Sequence, residues 1–142
     1  MTMIRFGESF GKYLLSFIPM VLTILCACRS RRFRVTGNSM EPMLSDGRIV
    51  WVSLWAYKFG EPRSGDVIVC RDPGQPGKML VKEVVGEPGD SIYINSDHRS
   101  GPRSWYLLEE QYFVAGKNFD DSRDSRDFGP ITRHLLIGKV WR

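Results

Sequence analysis

Histidine and cysteine are scarce in this sequence, and their scarcity excludes several kinds of functional site. The 142 residues include two histidines and three cysteines. His98 and His134 lie far apart in polar or mixed surroundings, so neither is well placed to act as the base for a nucleophile. Three cysteines make no disulfide framework, and no Cys/His spacing is typical of a metal site. We therefore expect no metal and no cofactor.

A large excess of charge is also missing. The net charge is +4, with 42% apolar and 25% charged residues, which is typical of a globular domain rather than a disordered chain. Such a charge can be concentrated locally, and a cluster of arginines supplies much of it: Arg29, Arg31, Arg32 and Arg34. The cluster can contact lipid phosphates or nucleic acid, but a solvated stretch beside a membrane accounts for it more simply. We expect a lipid bilayer as a partner and no nucleic acid; the oligomeric state stays open.

Long uncharged runs are few, and the clearest one is short for a membrane span. Residues 13–28, YLLSFIPMVLTILCAC, lie between Lys12 and Arg29 and contain no charge. A helix of this length spans about 24 Å, whereas a bilayer usually requires about 20 residues. The two flanking side chains can reach the interfaces and make up the difference. The run predicts one N-terminal transmembrane helix; a cleaved signal peptide and a lipoprotein signal are the alternatives.

The charges around this run predict a cytoplasmic location for the residues that follow it. Basic flanks of a transmembrane helix prefer the cytoplasmic side. The arginine cluster follows the run, whereas Arg5 and Lys12 precede it and Glu8 partly offsets them. The flanking charges alone therefore place the C-terminal part of the chain inside the cell.

Helical periodicity is not evident after residue 34, and the pattern there is that of a β protein. Short apolar stretches are separated by clusters of Gly, Pro, Asn and Asp, as in all-β sheets and barrels: GRIVWVSLW, GDVIVCR, KMLVKEVVG, SIYIN, QYFVAG and IGKVWR. The repeat DSRDSRD, residues 121–127, by itself indicates a solvated loop with self-neutralising charges. The sequence predicts residues 1–32 as tail, anchor and basic segment, and residues 33–142 as a mainly β domain.

One serine and one lysine in this domain are candidates for chemistry. Ser39 lies in the turn VTGNSMEPML, where a serine commonly bonds only its own turn backbone. On a strand, Lys82 shares a face with Leu80 and Val84. Burial of that face would lower the pKa of the amine and allow the neutral amine to act as a base. On an exposed face, Lys82 would be an ordinary surface charge, and the residues alone leave both possibilities open.

Three separated stretches together resemble a known family. GNSMEPML, VKEVVGEPGD and GKNFDDSRDSRDFGP match, in order, the signature boxes of type I signal peptidases, the membrane-bound Ser–Lys endopeptidases that remove signal peptides. The family patterns run approximately G-x-S-M-x-P-T-L, K-R-V-V-G-x-P-G-D and G-D-N-R-D-N-S-x-D-S-R-x-x-G-P. The resemblance covers residues 33–142. It implies antiparallel sheets forming a barrel-like catalytic domain on the exoplasmic side, after one N-terminal transmembrane helix.

The resemblance also implies roles for individual residues. Ser39 matches the nucleophile, and its backbone N–H would help to stabilise the oxyanion. Lys82 matches the general base, and Ser122 matches the serine that orients the lysine amine. Further positions match a supporting pair, Asp124 and Arg126, and residues expected beside the substrate, Met40 and Pro42.

Some positions vary within the family or depart from its pattern. Many members carry glycine at the position of Gly37, whereas some have a serine there whose hydroxyl helps to form the oxyanion hole; in this chain the hole would depend on the Ser39 N–H and another donor. Glu83 replaces the arginine after the base, and Lys117 and Phe119 replace an aspartate and an arginine in the third box. These changes leave the Ser–Lys dyad intact but affect the expected substrate range and loop electrostatics.

The predicted function is that of a membrane-anchored serine endopeptidase that removes signal peptides from exported preproteins. Three alternatives remain. The chain could be a maturation protease dedicated to one or a few substrates, or a catalytically inactive membrane-anchored binding homologue, which the departures motivate. A related self-cleaving repressor domain has little support, because no pair of DNA-binding helices precedes GNSM.

Overall fold

The computed structural model describes Pro19, Val21, residues 29–95 and residues 101–141. In residues 29–95 and 101–141 the fold is built from short strands with one α-helix of a single turn. The strands are β1 (Ser30–Arg34), β2 (Ile49–Ser53), β3 (Val67–Arg71), β4 (Met79–Gly86), β5 (Ser91–Ile94), β6 (Arg103–Tyr106), β7 (Gln111–Ala115), β8 (Ile131–Thr132) and β9 (Leu136–Val140). The helix α1 is Ser125–Phe128, and a 3-10 turn covers Arg133–Leu135.

The strands form one large antiparallel sheet and one separate hairpin. The large sheet has the order β1-β2-β9-β3-β4-β7-β8, and β5 pairs with β6. Its edges are β1 and β8, and the ladder between β4 and β7 runs only from Gly86 to Glu83 on the β4 side. The prediction of a mainly β, antiparallel fold is confirmed.

All six strands predicted from the sequence are present, as β2, β3, β4, β5, β7 and β9. The pattern did not reveal β1, because its sequence SRRFR contains three arginines and lacks apolar alternation. Pairing with β2 nevertheless makes it a strand, with Phe33 opposite Val50. Strand β1 therefore crosses the boundary predicted between residues 32 and 33, and the division into two parts stays a prediction.

The core lies on both faces of the large sheet. Strand β3 shows this directly, because Val67 and Val69 belong to one apolar cluster whereas Ile68 and Cys70 belong to the other. Alternate residues of a strand point to opposite faces, so a strand buried on both faces reads as a continuous apolar run. The neighbouring strand β4 is thus held at the centre of the domain, where it carries Lys82.

The predicted transmembrane helix lies almost entirely outside the described residues. Pro19 and Val21 are helical, and the remainder of residues 13–28 is not described. Within the described part of the chain, no helix has both the length and the apolar character needed to cross a membrane.

Candidate active site

Three segments that are distant in the sequence meet at one point. Ser39 lies in the turn between β1 and β2, Lys82 on β4, and Ser122 in the loop between β7 and α1. The Lys82 amine nitrogen (Nζ) lies 2.7 Å from the Ser39 hydroxyl oxygen (Oγ) and 3.0 Å from the Ser122 Oγ. Both are hydrogen-bond distances, so the amine contacts the two hydroxyls at once.

Burial changes the acidity of the Lys82 amine. Leu80, Lys82 and Val84 share the buried face of β4, and the exposed fraction of Lys82 is 2%. Desolvation is the largest effect and lowers the pKa of the amine, whereas the negative charge of Asp124 raises it. The net pKa is lowered, so Lys82 releases its proton more readily than a solvent-exposed lysine.

Ser122 fixes the direction in which the amine points. The Ser122 Oγ lies 2.6 Å from Asp124 Oδ2, and a carboxylate can only accept, so the single hydroxyl proton of Ser122 is donated to Asp124. The Ser122 oxygen is then the acceptor for an N–H of Lys82. A neutral amine that donates to Ser122 has its lone pair available for the Ser39 hydroxyl proton.

Asp124 is the centre of the support for this arrangement. Its exposed fraction is 0%, and Arg126 donates to it from Nε at 2.8 Å and from Nη2 at 2.7 Å. The backbone N–H of Gly116 donates to Asp124 Oδ2 at 2.9 Å. Burial alone would raise the pKa of Asp124, but the hydrogen bonds from Arg126, Gly116 and Ser122 outweigh it and lower the pKa. Asp124 therefore stays ionised and holds Ser122.

The DSRDSRD stretch is ordered and largely buried, so its interpretation as a solvated loop is wrong. Asp124 is the N-cap of α1, and Asp127 completes a capping box by accepting from the Asp124 backbone N–H at 2.9 Å. Arg123 makes two hydrogen bonds to Asp72, at 3.0 and 3.3 Å, and ties the stretch to the end of β3. The buried members are Ser122, Asp124, Ser125 and Arg126.

Gly116 is a functional position that the residue-by-residue reasoning missed. A Cβ atom at Gly116 would lie 2.1 Å from the Ser122 Oγ and 2.4 Å from the Ser39 carbonyl oxygen. No side chain fits, because the backbone of Gly116 separates the nucleophile turn from the loop that carries Ser122. The signal in the sequence was the glycine that opens the third box, GKNF, but its role requires knowledge of which distant segments meet there.

The Ser39 turn is held from both sides. The Asn118 backbone N–H donates to the Ser39 carbonyl at 3.0 Å, and the Gly37 N–H donates to Asp46 at 2.8 Å. Gly37 has φ of +88°, a backbone conformation that disfavours a serine or any other side chain there. Among the described residues no group accepts a hydrogen bond from the Ser39 N–H.

The two residues predicted beside the substrate have different surroundings. Met40 is 1% exposed and packs in the core with Leu44 and Val50, so its side chain anchors the Ser39 turn. The placement of Met40 beside the substrate stays a prediction. Pro42 is exposed, and its placement beside the substrate stays a prediction.

Phe119, which replaces an arginine of the family pattern, packs against the guanidinium of Arg126. The guanidinium carbon of Arg126 lies 3.8 Å from the centre of the Phe119 ring. A cation over an aromatic face is favourable. The replacement is therefore compatible with an intact ion pair between Arg126 and Asp124.

The chain is similar to several known proteins. The family model described as signal peptidase, peptidase S26, matches residues 8–99 and 96–141. The mitochondrial ATP-independent inner membrane protease subunit 1b of Arabidopsis thaliana is 36% identical over 110 residues, which are 75% of this chain and 65% of that protein. Signal peptidase IB of Staphylococcus aureus is 29% identical over an alignment of 143 positions, which covers 76% of this chain and 74% of that protein.

A structural comparison and the lengths of the relatives complete these findings. The structure of a signal peptidase I from Enterococcus faecalis superposes with a TM-score of 0.49 at 20% identity, over 58% of this chain and 98% of that chain. The chain spans less than two thirds of the length of the mitochondrial relatives, between 63% and 65%. The family model covers nearly the whole sequence, and on this ground the chain belongs to the signal peptidase family, peptidase S26.

Proposed function

We propose that the chain is a membrane-anchored serine endopeptidase that removes signal peptides from exported preproteins, with Ser39 as the nucleophile and Lys82 as the general base. The observation that carries this proposal is the 2.7 Å distance between the Lys82 Nζ and the Ser39 Oγ. The Lys82 side chain is only 2% exposed, so its amine is desolvated. A serine hydroxyl needs an adjacent base to become a nucleophile, and a desolvated lysine is one.

The proposed reaction is acyl transfer. Neutral Lys82 takes the proton from the Ser39 Oγ as that oxygen attacks the scissile carbonyl, and the resulting ammonium gives a proton to the leaving amine. Water, deprotonated by the same amine, then hydrolyses the acyl-enzyme and frees Ser39. Ser122 contacts the Lys82 amine directly, and Asp124 and Arg126 act through Ser122 to keep the amine directed at Ser39.

The developing oxyanion is stabilised by few donors in this proposal. The Ser39 backbone N–H is available, and Gly37 supplies no hydroxyl. Loss of one oxyanion donor commonly costs about 10²- to 10³-fold in turnover where nothing replaces it. A second donor therefore comes from water or from another group that the substrate brings into place.

The edge of β4 that leads to Lys82 supports an extended substrate. Strand β7 pairs with β4 only from Glu83 onwards, so one edge of residues 79–82 has no partner strand in the described residues. An extended peptide can add to such an edge through main-chain hydrogen bonds, with selectivity supplied by side-chain pockets. The family resemblance implies small side chains at the first and third positions before the cut.

A test of the function is cleavage of a panel of preproteins, read by mass spectrometry. The proposal predicts cleavage after the signal peptide by the wild type and none by Ser39→Ala. Cleavage of many preproteins indicates a general signal peptidase, and cleavage of one or a few indicates a dedicated maturation protease. An inactive wild type with every preprotein, in the presence of lipid, would favour the inactive binding homologue.

The reaction should depend on pH in one direction. Only neutral Lys82 can accept the Ser39 proton, and burial lowers the pKa of this amine. The rate should therefore rise as the pH increases through that pKa, and reach a plateau above it. The dependence of kcat/KM on pH measures the pKa of this amine in the free enzyme. A rate that is unchanged down to mildly acid pH would contradict the assignment of Lys82 as the base.

Aromatic and basic side chains near the start of β1 support a lipid partner. Arg29 lies over the Trp55 ring at 5.1 Å, and Arg32 lies over the Trp51 ring at 5.7 Å. Trp51 is 53% exposed and nearby Phe59 is 77% exposed. Tryptophan is enriched at membrane–water interfaces, and arginine attracts anionic headgroups. Arg29 follows the predicted anchor directly, and strand pairing places Trp51 of β2 opposite Arg32 of β1.

We propose that the catalytic domain lies on the exoplasmic side, where exported preproteins are processed. A reporter fused after Arg142 should then be active on the exoplasmic side of the membrane, and a protease added to that side should remove it. A variant in which alanine replaces the four arginines of residues 29–34 serves as a control for the effect of the flanking charge on orientation. A reporter in the cytoplasm would show that the arginines determine the orientation and that the family topology does not apply.

A further inference from the structure

The loop that carries Ser122 contacts the hairpin of β3 and β4 at two points. Lys82 on β4 pairs with Ile68 on β3, so the two side chains share a face of the hairpin. Asp72 directly follows β3, an even number of residues after Ile68, and the alternation of the strand directs it to the same face. The first contact joins Ser122 to Lys82 at 3.0 Å, and the second joins Arg123 to Asp72.

The contact between Arg123 and Asp72 is an ion pair with two hydrogen bonds. Arg123 donates to the Asp72 carboxylate from Nε at 3.0 Å and from Nη2 at 3.3 Å. The Asp72 side chain is 0% exposed and the Arg123 side chain is 40% exposed. The hydrogen bonds from Arg123 are the largest effect on the Asp72 carboxyl and hold its pKa below its ordinary value, so the carboxylate stays ionised. Two bonds between a guanidinium and a carboxylate fix the orientation of the arginine as well as its distance.

The residues around the pair leave a fitted space for this guanidinium. A Cβ atom at Gly74 would lie 2.8 Å from Arg123 Nη2, so a side chain there would displace the guanidinium. The Gly74 N–H also donates to Asp72 Oδ1 at 2.8 Å, which holds the carboxylate within its own turn. The ring of Phe128, at the end of α1, has its centre 5.6 Å from the guanidinium carbon. The turn between β3 and β4 and the helix α1 therefore both hold Arg123.

We propose that Arg123 is a positioning residue for the Ser–Lys dyad. Its ion pair with Asp72 fixes the place of Ser122 on the hairpin, and with it the acceptor for the Lys82 amine. Arg123 lies between two buried residues of the loop, Ser122 and Asp124. Because Asp72 and Lys82 belong to the same hairpin, a loop tied to Asp72 keeps its position relative to Lys82. The inference rests on the proposed function, since this amine is the proposed general base.

The link through Arg123 does what the other support of the loop does not. Asp124 and Arg126 belong to one segment, so their ion pair cannot by itself fix that segment against β4. The bond between Ser122 and a neutral Lys82 joins uncharged groups, and charge-assisted hydrogen bonds are about twice as strong as neutral ones. The loop therefore takes its position from Arg123. A misplacement of about 1 Å near reacting groups can cost about 10²-fold in rate, so a loosened loop should be visible in the rate.

Single-turnover cleavage of a preprotein by the full chain tests this role. Arg123→Gln and Asp72→Asn remove the ion pair while keeping much of the shape of each side chain. Each should lower the rate constant at saturating enzyme about tenfold, with KM in steady-state assays within about twofold of the wild type. In the double variant the two effects should not multiply. Unchanged rate constants, a double variant as slow as the product of both effects, or a change confined to KM would overturn the proposal.

The rate constant also separates position from stability. A partly unfolded sample keeps the wild-type rate constant at saturating enzyme, so a lower melting temperature with an unchanged rate constant would reduce the pair to a structural role and overturn the proposal. Arg63→Gln breaks the exposed ion pair with Glu87 and is the matched control, which should keep the wild-type rate constant. Arg123→Lys keeps the charge without the two-bond geometry and replaces Arg123→Gln if that variant does not fold; its rate constant should fall about threefold.

Amide hydrogen exchange tests the link without activity. The Gly116 N–H donates to Asp124 Oδ2 and the Asp124 N–H donates to Asp127, so both report the position of the loop. Exchange at both groups should be faster in Arg123→Gln and in Asp72→Asn than in the wild type. A wild type that cleaves no preprotein would contradict the proposed function, and the exchange data would still decide whether the ion pair holds the loop. Exchange at the wild-type rate in both variants would overturn the proposal.

Discussion

Lys82→Met should reduce preprotein cleavage by at least about 10³-fold while leaving the protein as stable as the wild type or more stable. General base catalysis alone contributes about 10²- to 10⁴-fold, and here the same amine also protonates the leaving group. Methionine has a similar length and no charge, so it fits a site where Lys82 is 2% exposed. Removing a desolvated amine from the core removes the energetic cost of burying it.

The matched control is Lys78→Met, in the turn between β3 and β4, where the lysine is exposed. This variant should keep the activity and melting temperature of the wild type, since isolated surface substitutions change stability little. Single-turnover cleavage and thermal melts of the two variants measure both effects. Substantial cleavage by Lys82→Met would show that another group activates Ser39.

Asp124→Ala should destabilise the fold and inactivate the enzyme together. The substitution leaves the guanidinium of Arg126, which is 5% exposed, buried without the carboxylate that accepts two of its hydrogen bonds. Breaking a buried ion pair by removing one partner costs about 3–5 kcal/mol in free energy of unfolding. Ser122 also loses the acceptor that fixes its proton, so the Lys82 amine is no longer directed at Ser39.

Denaturant unfolding and cleavage rates check this prediction, with Asp121→Ala as the control. Asp121 is exposed in the same loop, and its loss should change the free energy of unfolding by less than about 0.5 kcal/mol. The contribution of Asp124 should depend on pH, because its pKa is lower in the folded protein than in the unfolded chain. It is present above the unfolded pKa, near 4, and is lost as the pH falls through the folded pKa. The stabilities of wild type and Asp124→Ala should therefore converge in acid; a constant difference would mean that Asp124 is not ionised in the fold.

The parts of the fold with regular apolar alternation could be predicted from the sequence. Strand β4 is the clearest case, because the alternation around Lys82 correctly gave the two faces, and the structure shows which of them is buried. Strand β1 could not be found in this way, since its arginines carry no apolar pattern and only the pairing with β2 makes it a strand.

The site was predictable where family boxes supply residue identities and unpredictable where distant segments pack together. The resemblance brought Ser39, Lys82 and Ser122 into one hypothesis, and the structure places the three within hydrogen-bond reach of one another through Lys82. The requirement for Gly116 depends on how the segment after β7 packs against the Ser39 turn and the loop that carries Ser122. No local pattern encodes that packing, so it emerges only from the fold.

The measurement that tests the central claim most directly is an NMR titration of the Lys82 side-chain amine in ¹⁵N-lysine-labelled protein, compared with the pH dependence of kcat/KM for the same sample. If Lys82 is the general base, its amine titrates below the usual pKa of a lysine, and that pKa coincides with the acid limb of the rate. A Lys82 amine that titrates at the usual lysine pKa, with full activity at a pH where it is protonated, would contradict the assignment of Lys82 as the base.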